Sequence, residues 1–134
     1  MSTFVRLRVG AEAYAIAVTH VSEIADVGDL TPVPGARPEV LGVRNLRGQV
    51  LPVVDLAMLL RIPQTAAPSW LVVAEAGELA AGLAINEVSG VDELPDPTDD
   101  ADSDLLAGAL LDHDELIGVI DVPSVFTELQ RAAR

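Results

Sequence analysis

Apolar and polar residues alternate from the start of the chain. Val5, Leu7 and Val9 are interleaved with Arg6 and Arg8, which predicts a strand with one wet face. Gly10 to Ala13 reads as a turn. Tyr14, Ile16 and Val18 then alternate with alanines and predict a second strand. Thr19 is placed to cap a short helix, with Val21, Ile24 and Ala25 at i, i+3, i+4 spacing and Gly28 and Asp29 ending it. Residues 30–39 hold Pro32, Pro34, Gly35 and Pro38 and predict an extended connection. Val40 to Leu46 and Gln49 to Val54 read as a hairpin turning at Arg47-Gly48. A short helix capped by Asp55 follows, with Leu56, Leu59 and Leu60 on one face. Pro63 and Pro68 mark residues 62–69 as a linker.

The second half repeats these signals. Trp70 to Glu75 and Leu79 to Ile85 predict a hairpin across Gly77, and Val88 to Leu94 a further strand. Pro95 to Asp104 is an acidic loop. Leu105 to Leu111 and Glu115 to Ile120 predict a third hairpin. Asp121 caps a last helix that tolerates Pro123 in its first turn and turns Val122, Val125, Phe126 and Leu129 inward.

Self-comparison explains the recurrence. Residues 50–60 (VLPVVDLAMLL) align with residues 116–126 (LIGVIDVPSVF) without a gap, and Asp55 falls on Asp121. Extended backward, Gly42 falls on Gly108, and Ala17 to Ser22 echoes Ala84 to Ser89. Two similar β-units are implied, each too short for a stable sheet of its own, so they share a core. The copies differ at the turn: Asn45-Leu46-Arg47-Gly48 in one, Leu111-Asp112-His113-Asp114 in the other. Shared positions serve the fold, and differing positions are where function is added.

Composition narrows the chemistry. Half of the 134 residues are hydrophobic but only 3% are aromatic, so the core is built from Val, Leu, Ile and Ala. There is no cysteine, which removes disulfides, thiolate nucleophiles and cysteine-ligated metals. The net charge of −13 disfavours nucleic acid and anionic membranes as partners, and every basic residue is Arg. No secretory pattern or run long enough to insert into a membrane is present, which fits a cytoplasmic location.

The segment from Leu41 to Leu56 (LGVRNLRGQVLPVVDL) resembles the signature of CheW-type chemotaxis coupling proteins. The match is ungapped and includes Gly, Arg and Pro at fixed offsets. Tyr14-Ala-Ile16, Val21-Ser-Glu-Ile24, Pro32-Val-Pro34, Gly82 to Ile85 with Val88, and Leu116 to Val122 extend it over most of the chain. The resemblance implies an all-β fold with short helices: two intertwined five-stranded SH3-like barrel subdomains over residues 1–134 as a single domain. It also implies a non-enzymatic adaptor, associated with receptor arrays at the inner face of the membrane. Its partners would be the cytoplasmic tip of a chemoreceptor and the regulatory domain of a CheA-type histidine kinase.

Five residues carry over as partner-binding candidates. Arg47 matches the family's hairpin Arg, Gly42 and Gly48 match its flanking glycines, and Val21 and Glu23 match positions near the receptor groove. Each also has a structural reading. Gly48 serves as a turn glycine. Arg47 can brace its own barrel through backbone carbonyls, Val21 can be core, and Glu23 can be solvated. The chain departs from the family pattern at Asn86, where Asp is common, at Ala57, where a basic residue is common, and in its shortness around 62–69.

Other chemistry finds little footing. Asp100, Asp102 and Asp104 have the spacing of the first ligands of a calcium loop, but Leu105 and Leu111 stand where Gly and Glu are needed. Asp112-His113-Asp114 is short of a closed metal shell and sits at a hairpin tip. No nucleophile elbow or phosphate loop is present, and no cofactor is expected. The alternatives are an adaptor of a non-flagellar pathway, such as pilus motility or development, and a small metal- or ligand-binding β-barrel.

Overall fold

The computed structural model describes residues 1–98 and 103–131. Its elements are β1 (Ser2–Val9), β2 (Glu12–Ala17), a 3-10 turn (Val18–His20), β3 (Val21–Asp26), β4 (Val40–Leu46), β5 (Gln49–Asp55), α1 (Leu56–Leu60), β6 (Trp70–Ala76), β7 (Leu79–Ile85), β8 (Glu87–Leu94), β9 (Leu106–Asp112), β10 (Glu115–Ile120) and α2 (Val122–Gln130). They form two five-stranded sheets. One, here lobe I, has the order β8-β1-β2-β10-β9; the other, lobe II, has the order β3-β6-β7-β5-β4.

The two orders are the same order with repeat units exchanged. β1, β2, β3, β4 and β5 correspond to β6, β7, β8, β9 and β10. Each lobe therefore takes its first hairpin from one unit and its other three strands from the other. The central pairing is parallel in both, Val53 beside Gly82 and Gly118 beside Tyr14. An isolated bridge recurs as well, Thr31 with Val43 and Thr98 with Ala109. The units are thus interleaved, and neither sheet is made by one unit alone.

Alternation along the strands sets the layers. Val5, Leu7 and Val9 of β1 and Tyr14 and Ile16 of β2 face Val72, Ala74, Leu83 and Ile85 of β6 and β7. This shared core also receives Leu56 and Leu59 of α1 and Val122, Val125 and Phe126 of α2. The opposite faces fill the lobes with smaller clusters: Phe4, Ala15, Leu94, Leu110, Ile117 and Val119 in lobe I; Leu46, Leu51 and Val73, and Val53, Leu71 and Ala84, in lobe II. Burying a side chain of this kind is worth about 1.5–3 kcal/mol, so most of the fold's stabilisation lies in these layers.

Both helices start as the sequence pattern predicts. The Asp55 carboxylate accepts from the Met58 N–H at 3.3 Å, and Asp121 accepts from Ser124 N–H at 3.2 Å. Pro123 occupies the first turn of α2, where its missing N–H costs nothing.

One expectation is corrected. Residues 19–25 do not form a helix: Val18–His20 is a single 3-10 turn without a side-chain cap, and Val21–Asp26 is strand β3. Its residues alternate half-buried and exposed, and Glu23, Ile24 and Ala25 pair with Val73, Val72 and Leu71 of β6. The i, i+3, i+4 spacing came from three β-branched or small residues that suit a strand as well. The ladder offered by β6 decided the outcome. Asp100 and Asp102 of the acidic loop lie outside the described residues. Among the described residues no group of three or more acidic or His side chains is placed to hold a metal.

Candidate functional site

Four of the five candidate residues lie on β3 or on the β4–β5 turn, and their settings differ. Arg47 and Gly48 form a two-residue hairpin loop with φ of 51° and 87°. Positive φ at both positions matches the right-handed twist of the flanking strands. Gly48 N–H donates to Asn45 Oδ1 at 2.9 Å and closes the turn, and a Cβ on Gly48 would meet nothing within 4 Å. The turn therefore needs Gly48 for its φ and keeps open space above it.

Arg47 is 71% exposed at its side chain and forms an ion pair with Glu23 of β3. The pair links the turn to the far edge of the same sheet, since β3 and β4 are its two end strands. Glu23 engages one Nη of the guanidinium and leaves other N–H donors directed to solvent. The contact is thus to a side-chain carboxylate and not to the backbone carbonyls of the alternative structural reading.

Val21 stands at the start of β3, half-buried, and packs on the shared core. Gly42 lies apart from the turn. Its φ is +151°, and a Cβ there would come within 2.5 Å of Thr31 O. Gly108 has φ +155° and meets Thr98 O in the same way. Both copies keep glycine because a neighbouring backbone occupies the space, so Gly42 has a structural cause independent of any partner.

Further residues hold the frame: Arg37 and Arg44, which sequence reasoning missed, and Asn86, which it noted only as a departure from the family pattern. Arg44 of β4 donates through Nε to Val27 O at 2.8 Å and pairs with Asp26 at 3.0 Å. It packs against Gly28 and fastens the connection after β3. An Arg within a mostly apolar strand was the available signal. Arg37 donates to Glu128 O at 2.6 Å and pairs with Glu39 and Glu128 at 3.2 Å each, tying α2 to the approach to β4. The bond from Arg37 holds the Glu39 carboxyl below its ordinary value. Asn86 uses both ends of its amide: Oδ1 accepts from Gly10 N–H at 2.6 Å, and Nδ2 donates to Ala66 O at 3.0 Å. A carboxylate could not donate to Ala66, which explains an amide here beside a short 62–69 connection.

A cleft of about 480 Å³ opens on lobe I between Tyr14, Leu60, Leu106, Glu115 and Gly118. Its polar groups are paired: Tyr14 donates to Glu12 at 2.9 Å, and Arg8 pairs with Glu115 at 2.6 Å. Burial and the bond to Glu12 push the Tyr14 phenol well above its ordinary pKa. A phenol so placed is not a proton shuttle at neutral pH. On the corresponding part of lobe II, a smaller apolar cleft lies between Val40, Pro52, Leu79, Phe126 and Leu129. No helix of the described residues is long and apolar enough to cross a membrane.

Two interleaved five-stranded β-lobes with a braced hairpin on one of them define a β-scaffold class. The family model described as the CheW-like domain matches residues 3–130, and the chain belongs to that family. It is 33% identical over 140 residues to the chemotaxis protein CheW of Rhizobium meliloti, covering 96% of this chain and 90% of that one. It is 35% identical over 98 residues to protein FrzA of Myxococcus xanthus, covering 69% of this chain and 59% of that one. The crystal structure of the scaffolding protein TtCheW from Thermoanaerobacter tengcongensis superposes with a TM-score of 0.83 at 23% identity, over 90% of this chain and 84% of the other. That likeness bears out the two-lobed fold.

Proposed function

We propose that this chain is a non-enzymatic adaptor that couples the cytoplasmic tip of a chemoreceptor to the regulatory domain of a CheA-type histidine kinase, at receptor arrays on the inner face of the membrane. The single observation that carries the reading is the Glu23–Arg47 pair. It lies exposed on one lobe of a family scaffold, while the equivalent positions of the other lobe, Gly90 and His113, make no such pair. Glu23 orients the guanidinium and lowers the entropy lost on docking. The remaining N–H donors can then meet a carboxylate or carbonyl on a partner helix. Gly48 keeps the turn low enough for close approach. Val21, Glu23, Arg47 and Gly48 form the proposed contact, with Gly42 shaping the strand beneath it. Residues 1–134 act as one unit, since the shared core belongs to both lobes.

Calorimetry of the chain with a cognate kinase regulatory domain and a receptor tip tests this. Binding to both is expected in the range of transient interfaces, and absence of binding to either at tens of micromolar, roughly, overturns the reading. A second reading keeps the same docking chemistry in a non-flagellar pathway such as pilus motility or development, and similarity to FrzA favours keeping it open. The identity of adjacent genes separates the two.

A further inference from the structure

The lobes are built from interchangeable parts, yet each hairpin sits in only one of them. β1–β2 completes lobe I, and β6–β7 completes lobe II. The registers correspond: Arg6 faces Ala15 as Val73 faces Gly82, and Asp112 faces Glu115 as Leu46 faces Gln49. Backbone ladders alone do not tell one hairpin from the other.

Side chains do. In lobe II, Val73 of the inserted hairpin packs with Leu46 and Leu51, and Ala25 and Ala80 lie against them. In lobe I, the position of Val73 is held by Arg6 and that of Leu46 by Asp112, which pair at 3.1 Å. Arg6 also reaches Asp92 and Glu115 at 3.4 Å each. The small Ala13 and Ala15 of the intervening β2 leave room for the arginines to cross over that strand. Arg6 and Asp112 are mostly buried, with 24% and 21% of their side chains exposed. An apolar cluster in one lobe thus stands where the other lobe has an ion pair.

We infer that the Arg6–Asp112 pair is a recognition code that directs the β1–β2 hairpin to lobe I and excludes it from lobe II. Misplaced in lobe II, Arg6 would lose Asp92, Asp112 and Glu115 and face Leu46, Leu51 and Ala25, and the carboxylate across from it, Glu23, is already paired with Arg47. The reciprocal error would set Val73 against Asp112. Each separates largely buried charges from the partners they have in lobe I, which costs more than forgoing the pair altogether. The same charge pattern discriminates against insertion of the β1–β2 hairpin of one copy into lobe II of another.

The chain has no cysteine, so engineered disulfides report the pairing cleanly. Thr3 and Glu93 are exposed register partners in lobe I, and the counterpart of that pair in lobe II is Trp70 with Asp26. The T3C/E93C pair therefore reads the hairpin in lobe I, and T3C/D26C reads it in lobe II, within one chain or as a covalent dimer. Both are introduced into the unaltered chain and into R6V/D112L, which gives lobe I the residues of lobe II. After refolding from urea and oxidation, the T3C/D26C product is expected to rise at least about tenfold in R6V/D112L. An unchanged product, with T3C/E93C still forming, overturns the inference. Should R6V/D112L lack strand signal in far-UV circular dichroism, L46D/V73R places the same code in both lobes. The same rise is then expected, and its absence is equally fatal.

Discussion

Arg47 at the β4–β5 turn and Glu23 on β3 are joined by an ion pair that the other lobe does not make. The second turn has the same backbone, with φ of 50° and 65° at His113 and Asp114. Only the side chains differ, so the pair is an addition to a repeated frame.

That separation predicts a split between binding and stability. An exposed ion pair contributes about 0.2–1 kcal/mol, so Arg47→Glu lowers the melting temperature by about 2–4 °C at most. Binding to a receptor tip, measured by calorimetry, falls about tenfold or more. The exchange Glu23→Arg with Arg47→Glu restores melting but not binding. A collapse of folding on Arg47→Glu alone would show that its role is structural.

Gly42 and Gly48 separate in the opposite direction. Gly48→Ala meets only the strain of positive φ, on the order of 1 kcal/mol, because the space around it is open. Gly42→Ala adds a collision with Thr31 O to the strain and costs more than Gly48→Ala in urea unfolding. Equal costs would show that the backbone at Thr31 yields freely.

The two caps should also be unequal. Asp121→Ala loses one capping bond, about 1 kcal/mol. Asp55 is 5% exposed and accepts from Gln64 Nε2 at 2.6 Å as well as from Met58. Asp55→Ala loses both bonds, the Gln64 amide being exposed and free to turn to water, and the cost rises to about 2 kcal/mol in urea unfolding.

Acid sensitivity follows from Glu39. Its folded pKa lies below the ordinary value of 4.5, chiefly through the bond from Arg37. A depressed folded value means that the stabilisation is present above the unfolded pKa and is lost as pH falls through the folded one. Glu39→Gln is therefore less stable than the parent above about pH 5, and the gap closes as pH falls below about 4. Thermal unfolding followed across that window checks the sign; a gap that widens in acid would contradict it.

Much of the frame was legible in the chain. Period-2 alternation, the Asp-led helices and the Gly-bearing turns are local signals, and each corresponds to an element. The spacing of residues around Arg47 was legible for the same reason: a tight turn dictates its residues within four positions. The stretch 19–25 misled because Val21, Ile24 and Ala25 suit two periodicities, and only the edge offered by β6 chose between them. Arg37, Arg44 and Asn86 act on partners far away in sequence, and their types do not name those partners.

What the sequence determined by itself was the repeat, the elements within each copy and the turn that differs between them, because these depend on residues a few positions apart. Only the tertiary structure decided that the copies interleave, that Glu23 meets Arg47, and that Arg6 stands where the other lobe has Val73. Those relationships join residues dozens of positions apart, and shared burial and charge pairing select them once the chain has closed on itself.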